Sequence, residues 1–543
     1  MNVKIKVNNI NQKADSGETI LSALKRIGIN IPTLCNMEDL SPTGACRLCV
    51  VEDAITGELI TSCSTPVRDK LEILTHSPKV IEARKTIVEL LLTNHPENCL
   101  YCDKSGNCEL QRLAEELNIR EKTFYGDKPD YKTDRSSPGI VRDMSKCILC
   151  GRCVRICEEV LEISAIDLIN RGKKTRIETV FQKGLYYSDC IHCGLCISAC
   201  PTGAILEKSN LNELINRLGK EDKKKSIFVS SISIAYLAQR NNIRKYEDCR
   251  NYIVGALHDA GFDNVYTSAI LNDYFTSEAC NKIENNLKKD KTTIITDCPA
   301  VKKYLRNQDA ELFEKLIDIP NPMQLTGDLF NKVIDFENDC MVSTVPCIAH
   351  KYEAIRSENT IKGVPKFEFV LTSNELDKML HALGLSLPYT KKETPDKPSN
   401  SDSSSGVFFE TKHGITEAII RELSFRKGIV NKLNRIIEIK TDKDFIEYEF
   451  NLGKTKHTVA CIYGVNNIKK YRSKILKSKY LFVELRSCEF GCIDGCGQTK
   501  TSEKEQQKKI RKIISDFDEK NNNNTAGKNP YIKGIYRLKQ SEK

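Results

Sequence analysis

At 543 residues, with 24 cysteines and a formal net charge of +10 from 83 basic and 73 acidic side chains, the chain has room for several domains and is rich in thiols. It contains no run of 18 or more apolar residues and its first residues lack the apolar core of a signal peptide, so no membrane span and a cytosolic, reducing location are expected, where clustered cysteines mean metal more often than disulfides. The positive excess does not argue for nucleic acid: an iron–sulfur centre with four thiolates carries about −2 when oxidised, and several would offset it, leaving runs such as Lys223–Lys225 as solvated faces or a docking face for an acidic electron carrier.

Val3, Ile5 and Val7 alternate as in a half-buried strand, Asn8-Asn9 signals a turn, and Leu21, Leu24 and Ile27 place a helix over about residues 19–27 that Gly28 can stop. Next come Cys35, Cys46, Cys49 and Cys63. The stretch Pro42-Thr-Gly-Ala-Cys46-Arg-Leu-Cys49 is polar and contains glycine, suited to wrapping N–H groups around sulfurs, although its spacing differs from the plant-type run. Residues 1–78 resemble a β-grasp ferredoxin domain with one [2Fe–2S] cluster; a zinc loop is the alternative. Apolar positions from Val80 to Leu92 predict a helix over about 79–92. It leads to His95, Cys99, Cys102 and Cys108 in a domain expected over 79–125. Three cysteines need a fourth ligand, and His95 is the ligand-type residue close by; imidazole in place of thiolate raises a cluster's potential. Zinc on the same four ligands competes with a [4Fe–4S] cluster here.

Residues 140–209 carry the most specific signal, Cys147-x2-Cys150-x2-Cys153-x3-Cys157 and then Cys190-x2-Cys193-x2-Cys196-x3-Cys200-Pro201. This is the spacing of a module with two [4Fe–4S] clusters, in which each run lends its fourth cysteine to the other cluster. Cys147, Cys150, Cys153 and Cys200 are assigned to one cluster, and Cys190, Cys193, Cys196 and Cys157 to the other. Zinc sites favour paired knuckles with a longer gap and fit poorly.

After a charged linker at 219–225 the pattern turns to α/β. Strands are expected at 227–232, 265–266, 292–296 and 367–371, and helices at 246–260 and 277–287. A third helix should open at the capping box Thr372-x-x-Glu375. Residues 390–406 read as a loop or insertion, and 501–543 as a charged, partly flexible tail. Cys298, Cys347, Cys488 and Cys492 each follow a predicted strand, where open α/β sheets form binding sites; buried free cysteine is the plain alternative, and the default for Cys249, Cys280, Cys340 and Cys461.

These segments are similar to the three signatures of the [FeFe] hydrogenase catalytic domain. The first, T-S-C-C-P, meets Ile295-Thr296-Asp297-Cys298-Pro299. The second, M-P-C-x-x-K-x-x-E, meets Val345-Pro346-Cys347-Ile-Ala-His350-Lys351-Tyr352-Glu353. The third, E-x-M-A-C-x-x-G-C-x-x-G-G-G-Q-P, meets Glu484-Leu-Arg486-Ser487-Cys488 through Cys492 and Cys496 to Thr499. The N-terminal modules also resemble the large iron–sulfur subunit of complex I. The resemblance implies a multidomain α+β and α/β chain: the β-grasp domain, the histidine/three-cysteine domain, the two-cluster ferredoxin domain, then an α/β catalytic domain over 226–500. It implies three N-terminal [4Fe–4S] clusters besides the [2Fe–2S] centre. At Cys298, Cys347, Cys488 and Cys492 it implies an H-cluster, a [4Fe–4S] cluster bridged by Cys492 to a diiron subsite. The activity implied is reversible H2 oxidation with a ferredoxin-type carrier; a slow hydrogenase-like sensor and a complex I-like electron-transfer subunit are the alternatives. Oligomeric state is left open.

The departures are specific. The family's proton-relay cysteine is Asp297, whose ordinary pKa of about 3.9 lies well below the thiol's roughly 8.5, so a relay role would require desolvation. The lysine that contacts a cyanide ligand falls at His350, with Lys351 one position off. Val345 and Arg486 replace methionines, Ser487 an alanine, and Cys496 interrupts the triple glycine. Of the glutamates that continue the proton path, a rough alignment leaves Glu278.

Overall fold

The computed structural model describes all residues except 1, 122, 288–291, 331–333, 357–359, 362–363, 430–436, 443, 499–502 and 542–543. The chain divides into two compact units. Met1–Cys190 with Leu195–Lys208 form the first, and Ile191–Gly194 with Ser209–Lys543 form the second.

In the first unit, Asn2–Val7 and Ile10–Asp15 make the expected hairpin. Its turn works because Asn8 and Asn9 both adopt positive φ, which asparagine tolerates. Glu72–Leu74 pairs in parallel with the first strand and carries the sheet on to Val50–Asp53 and Leu59–Thr61. Helix Ile20–Arg26 lies against this sheet through Ile20, Ala23 and Leu24. Thr19 Oγ1 caps it by accepting from Ser22 N at 3.2 Å. Helix Pro78–Thr93 starts on a Ser77 cap with proline in its first turn, and buries Val80 and Val88. Arg152 pairs with Glu109 at 2.7 Å, and Arg155 donates to the carbonyls of Cys35 and Ser41. The three N-terminal modules are thereby stitched together through backbone and side chain near their cysteines.

The second unit is built on two sheets. One is fully parallel, in the order Asn264–Thr267, Lys225–Val229, Cys340–Val345, Phe369–Thr372. The other runs Thr293–Ile295, Phe482–Arg486, Thr455–Tyr463, Phe445–Leu452, Ile437–Asp442; its first three strands are parallel and the last two extend it as an antiparallel meander. The parallel strands are buried on both faces, as in sheets covered by helices.

Several boundaries differ from expectation. The strand expected over 227–232 is Lys225–Val229, because Ser230 Oγ accepts from Ile232 N and starts a helix at Ser231. The helix expected from 277 begins at Ala269. Its first turns hide Asn272, Asp273, Thr276 and Ser277, polar residues that break the apolar pattern but find buried partners such as Gly406 O and Ser403 Oγ. The 390–406 stretch is not a free loop: Ser403 caps a buried helix, Ser404–Phe408. The stretch expected as a charged, partly flexible tail carries regular structure over its described residues. Helix Glu503–Lys520 buries Ile510, Ile513, Ile514 and Phe517 on one stripe, and Asn521, Asn523 and Asn524 bond back to residues 402–405. The capping box forms as expected: Thr372 Oγ1 accepts from Glu375 N, and Thr372 N donates to Glu375 Oε2. Cys249, Cys280, Cys340 and Cys461 are buried packing residues. Among the described residues no helix is long and apolar enough to cross a membrane.

Candidate metal centres

Cys35, Cys46, Cys49 and Cys63 sit on loops at one end of the β-grasp sheet, three of them fully buried. The Cys35 thiol is pulled down by hydrogen bonds from Cys46 and then Cys63, and Cys46 N also points at its sulfur, 3.5 Å away. These four sulfurs therefore share one small space lined with N–H donors.

At His95, Nδ1 lies 3.0 Å from Pro96 O. A carbonyl only accepts, so Nδ1 carries the proton and Nε2 the lone pair. That Nε2 is buried without a hydrogen-bond partner, and burial lowers the imidazole pKa, keeping it neutral. A neutral ring with one nitrogen fixed by a carbonyl and the other buried and unsatisfied is the form in which histidine binds metal. Burial raises the Cys108 thiol, with Cys102 and Cys99 adding to it, which puts these three sulfurs within electrostatic reach of one another.

Cys147, Cys150, Cys153 and Cys200 line a single pocket, closed by Met144, Ile148, Ile177 and Ile205. These are the four assigned to one cluster from their spacing. Of the other set, Cys157 Sγ accepts from Ala165 N at 3.4 Å, and Cys193 lies in the segment that belongs to the second unit; its grouping with Cys190 and Cys196 rests on spacing.

In the second unit three loops converge. Cys298 follows strand Thr293–Ile295, Cys347 follows Cys340–Val345, and Cys488 and Cys492 follow Phe482–Arg486. All leave the C-terminal ends of parallel strands, two from one sheet and one from the other. Burial pushes all four thiols up, so they need a positive partner, such as cluster iron, to ionise. The backbone closes tightly here. A Cβ on Gly495 would stand 2.2 Å from Pro346 O, and one on Gly497 2.8 Å from the Thr372 side chain, so only glycine permits this approach. Cys492 is held by its N–H on Glu410 O at 2.8 Å and by Gln498 Nε2 on its carbonyl at 2.9 Å. Cys496 packs on the 191–194 segment: its Cβ would be 3.0 Å from a Cβ on Gly194.

The surroundings are charged and dry. Arg486 is 1% exposed. Its Nη1 donates to Cys492 Sγ at 3.2 Å and faces Asp297 Oδ1 at 3.3 Å. Its Nε donates to Glu484 Oε1 at 3.0 Å, and its Nη2 to Phe409 O at 2.8 Å. Burial opposes its charge, but Asp297, Cys492 and Glu484 outweigh that and hold it cationic. Glu484 in turn accepts from Thr416 N and Oγ1 at 2.9 and 2.7 Å. Glu410 accepts from Ser230 Oγ at 2.9 Å, and burial pushes its carboxyl up to about 7. His350 is pushed down to about 4 by burial and is neutral, with Nδ1 buried and unpartnered. Lys351 is engaged elsewhere, on Glu375 Oε2 at 2.7 Å.

Arg486 and Glu410 are the residues sequence reading did not assign. Arg486 entered only as a replacement for a methionine, although a charged residue at the end of an apolar run is a signal of function or of a buried pair. Glu410, far away in the chain, gave none. A second unforeseen group is His192, stacked on Tyr352 at 4.5 Å and accepting from Lys303 Nζ at 3.1 Å; burial, then Lys303, lowers it to about 3. Glu278 lies on helix Ala269–Leu287.

The four thiols are half-buried, Gly495 and Gly497 close on the Pro346 backbone beside Cys347, and four cysteines are the donor set that a [4Fe–4S] cluster takes. A thiolate sulfur has lone pairs to spare, so Cys492 can accept the Arg486 hydrogen bond while binding iron.

A family model described as iron only hydrogenase large subunit, C-terminal domain, matches residues 223–496. Others match 1–78 (2Fe-2S iron-sulfur cluster binding domain), 84–123 (NADH-ubiquinone oxidoreductase-G iron-sulfur binding region) and 146–204 (4Fe-4S dicluster domain). The chain is 30% identical to the NADP-reducing hydrogenase subunit HndD of Solidesulfovibrio fructosivorans, over 96% of this chain and 93% of that one. It is 29% identical to iron hydrogenase 1 of Clostridium pasteurianum, over 93% and 91%. A variant of [FeFe]-hydrogenase HydA1 from Chlamydomonas reinhardtii has a similar fold, with a TM-score of 0.53 at 19% identity over 61% of this chain and 94% of that one.

Proposed function

Because the chain belongs to the iron-only hydrogenase large-subunit family, we propose that it interconverts protons and H2 at a terminal centre on Cys298, Cys347, Cys488 and Cys492. Its N-terminal clusters carry electrons to and from a ferredoxin-type protein. The observation that supports this reading is that all four cysteines follow the C-terminal ends of parallel strands of the second unit, where Gly495 and Gly497 close on the backbone of Pro346, next to Cys347. Cys298, Cys347, Cys488 and Cys492 would hold an H-cluster there, and it would supply the redox-active iron at which protons and H2 interconvert. This chain's own residues do the rest. The loops exclude water, as burial of Asp297, Glu484 and Arg486 attests. Asp297, adjacent to Cys298, is the carboxyl placed to hold or pass a proton at Oδ1 or Oδ2. Neutral His350 offers one ring N–H or one lone pair at Nδ1. The N-terminal set would hold one [2Fe–2S] and three [4Fe–4S] clusters, with His95 Nε2 as a ligand.

A second reading, an electron-transfer protein without the diiron subsite, is favoured by one observation: Arg486 bonds the sulfur that would bridge to it. Infrared spectroscopy of protein matured with the diiron cofactor decides between them. CO and cyanide stretching bands are expected, with H2 evolution from reduced ferredoxin; a matured protein without those bands overturns the first reading.

A further inference from the structure

Cations crowd the terminal centre, yet they face different ways. Lys302 donates to Asn321 Oδ1 and to Ile319 O. Lys303 donates to His192, and Lys351 to Glu375. His350 is neutral. Arg486 alone among these bonds a candidate ligand sulfur, at 3.2 Å. It reaches there by leaving the end of strand Phe482–Arg486 two residues before Cys488, in the same chain segment that presents Cys488 and Cys492. Its Nε and Nη2 are fixed by Glu484 and Phe409 O, and Asp297 lies 3.3 Å from the Nη1 that bonds the sulfur. Such a guanidinium cannot swing away without stranding two buried carboxylates.

We propose that Arg486 is the positioning residue that supplies the positive charge of the terminal centre: it holds the Cys492 sulfur by a direct N–H···S bond and makes the cluster on Cys298, Cys347, Cys488 and Cys492 easier to reduce. The inference rests on the reading that these four cysteines hold a cluster, but not on whether a diiron subsite or H2 turnover accompanies it. Two effects act in the same direction. A hydrogen bond to a ligating sulfur withdraws electron density from iron, and a cation in a water-excluded site stabilises the more negative, reduced cluster. The guanidinium also suits the task better than an ammonium, because its planar fork satisfies sulfur and carboxylates at once.

The test is an EPR-monitored redox titration of the full-length protein reconstituted with iron and sulfide. The signal of the terminal cluster is identified as the one lost in Cys298→Ala and in Cys347→Ala. In Arg486→Gln that signal should appear at a clearly more negative potential, while the N-terminal cluster signals keep theirs. Arg486→Lys, which keeps the charge but loses the fork, should fall between Arg486→Gln and the wild type. An unchanged potential in both variants overturns the proposal. A wild-type protein from which Cys298→Ala and Cys347→Ala remove no signal overturns the four-cysteine reading as well. Should Arg486→Gln fail to fold, Arg486→Lys decides by itself: a wild-type potential with the N–H···S bond removed counts against the role, and a negative shift supports it.

Discussion

Lys351 Nζ donates to Glu375 Oε2 at 2.7 Å, with the two side chains only 6% and 2% exposed. The same carboxylate accepts from Thr372 N and caps helix Ser373–Ala382. This lysine is therefore a structural partner of the cap. Lys351→Met removes the cation from a buried carboxylate, and a loss of about 3–5 kcal/mol is expected. Adding Glu375→Gln should recover most of it, since the amide keeps a cap acceptor and no charge is left. Urea unfolding followed by circular dichroism reads both. A loss under about 1 kcal/mol in the single variant would show the pair to be solvated.

His95 makes a sharper prediction about an N-terminal cluster. With Nδ1 committed to Pro96 O and Nε2 buried and unpartnered, His95→Ala should lose one [4Fe–4S] signal by EPR, with a matching drop in bound iron. His95→Cys should keep the cluster but shift it to a more negative potential, because a thiolate adds negative charge. If His95→Ala retains every cluster, the fourth ligand is another residue.

How much of this was legible in the sequence follows from how local each interaction is. Cluster loops are local: the spacing within each of the two runs assigned Cys147, Cys150 and Cys153 to one cluster with Cys200 of the second run, and these four line one pocket. The Thr372/Glu375 cap is local too. Arg486 is not. Glu484 is on its own strand, but its other partners, Asp297 and Phe409, come from two separate segments, and only packing of the two-sheet unit brings them to one guanidinium. Helix Glu503–Lys520 failed for a different reason: Ile510, Ile513, Ile514 and Phe517 carry a clear helical period, but the surrounding lysines and glutamates dominate composition and mimic a solvated tail.

Asp297 tests the proton path. It is 3% exposed, next to Cys298 in the chain and against Arg486. If it passes protons, Asp297→Asn should reduce H2 evolution by a factor of about 10² or more, with the infrared bands of the matured protein little changed. Asp297→Cys should then match or exceed the wild-type rate. Equal rates in all three proteins would remove Asp297 from the path.

Asp273 lies away from the cysteines, wholly buried on helix Ala269–Leu287, with Ser403 Oγ donating to Oδ1 and Asn529 Nδ2 donating to Oδ2. Burial pushes its carboxyl up to about 7, against those two donors and with help from Asp402 and Glu422. A carboxyl raised on folding adds stability that is complete below its unfolded value near 3.8 and is lost as pH rises through about 7. At about 1.4 kcal/mol per pH unit, the gap between those values corresponds to a loss of roughly 4 kcal/mol by pH 8. Asp273→Asn cannot ionise and should flatten this dependence. Its unfolding midpoint should gain on the wild type between pH 5 and about pH 7, and then level off, in a urea series. Parallel curves for the two proteins over that range would mean the carboxyl ionises as readily in the folded chain as in the unfolded one.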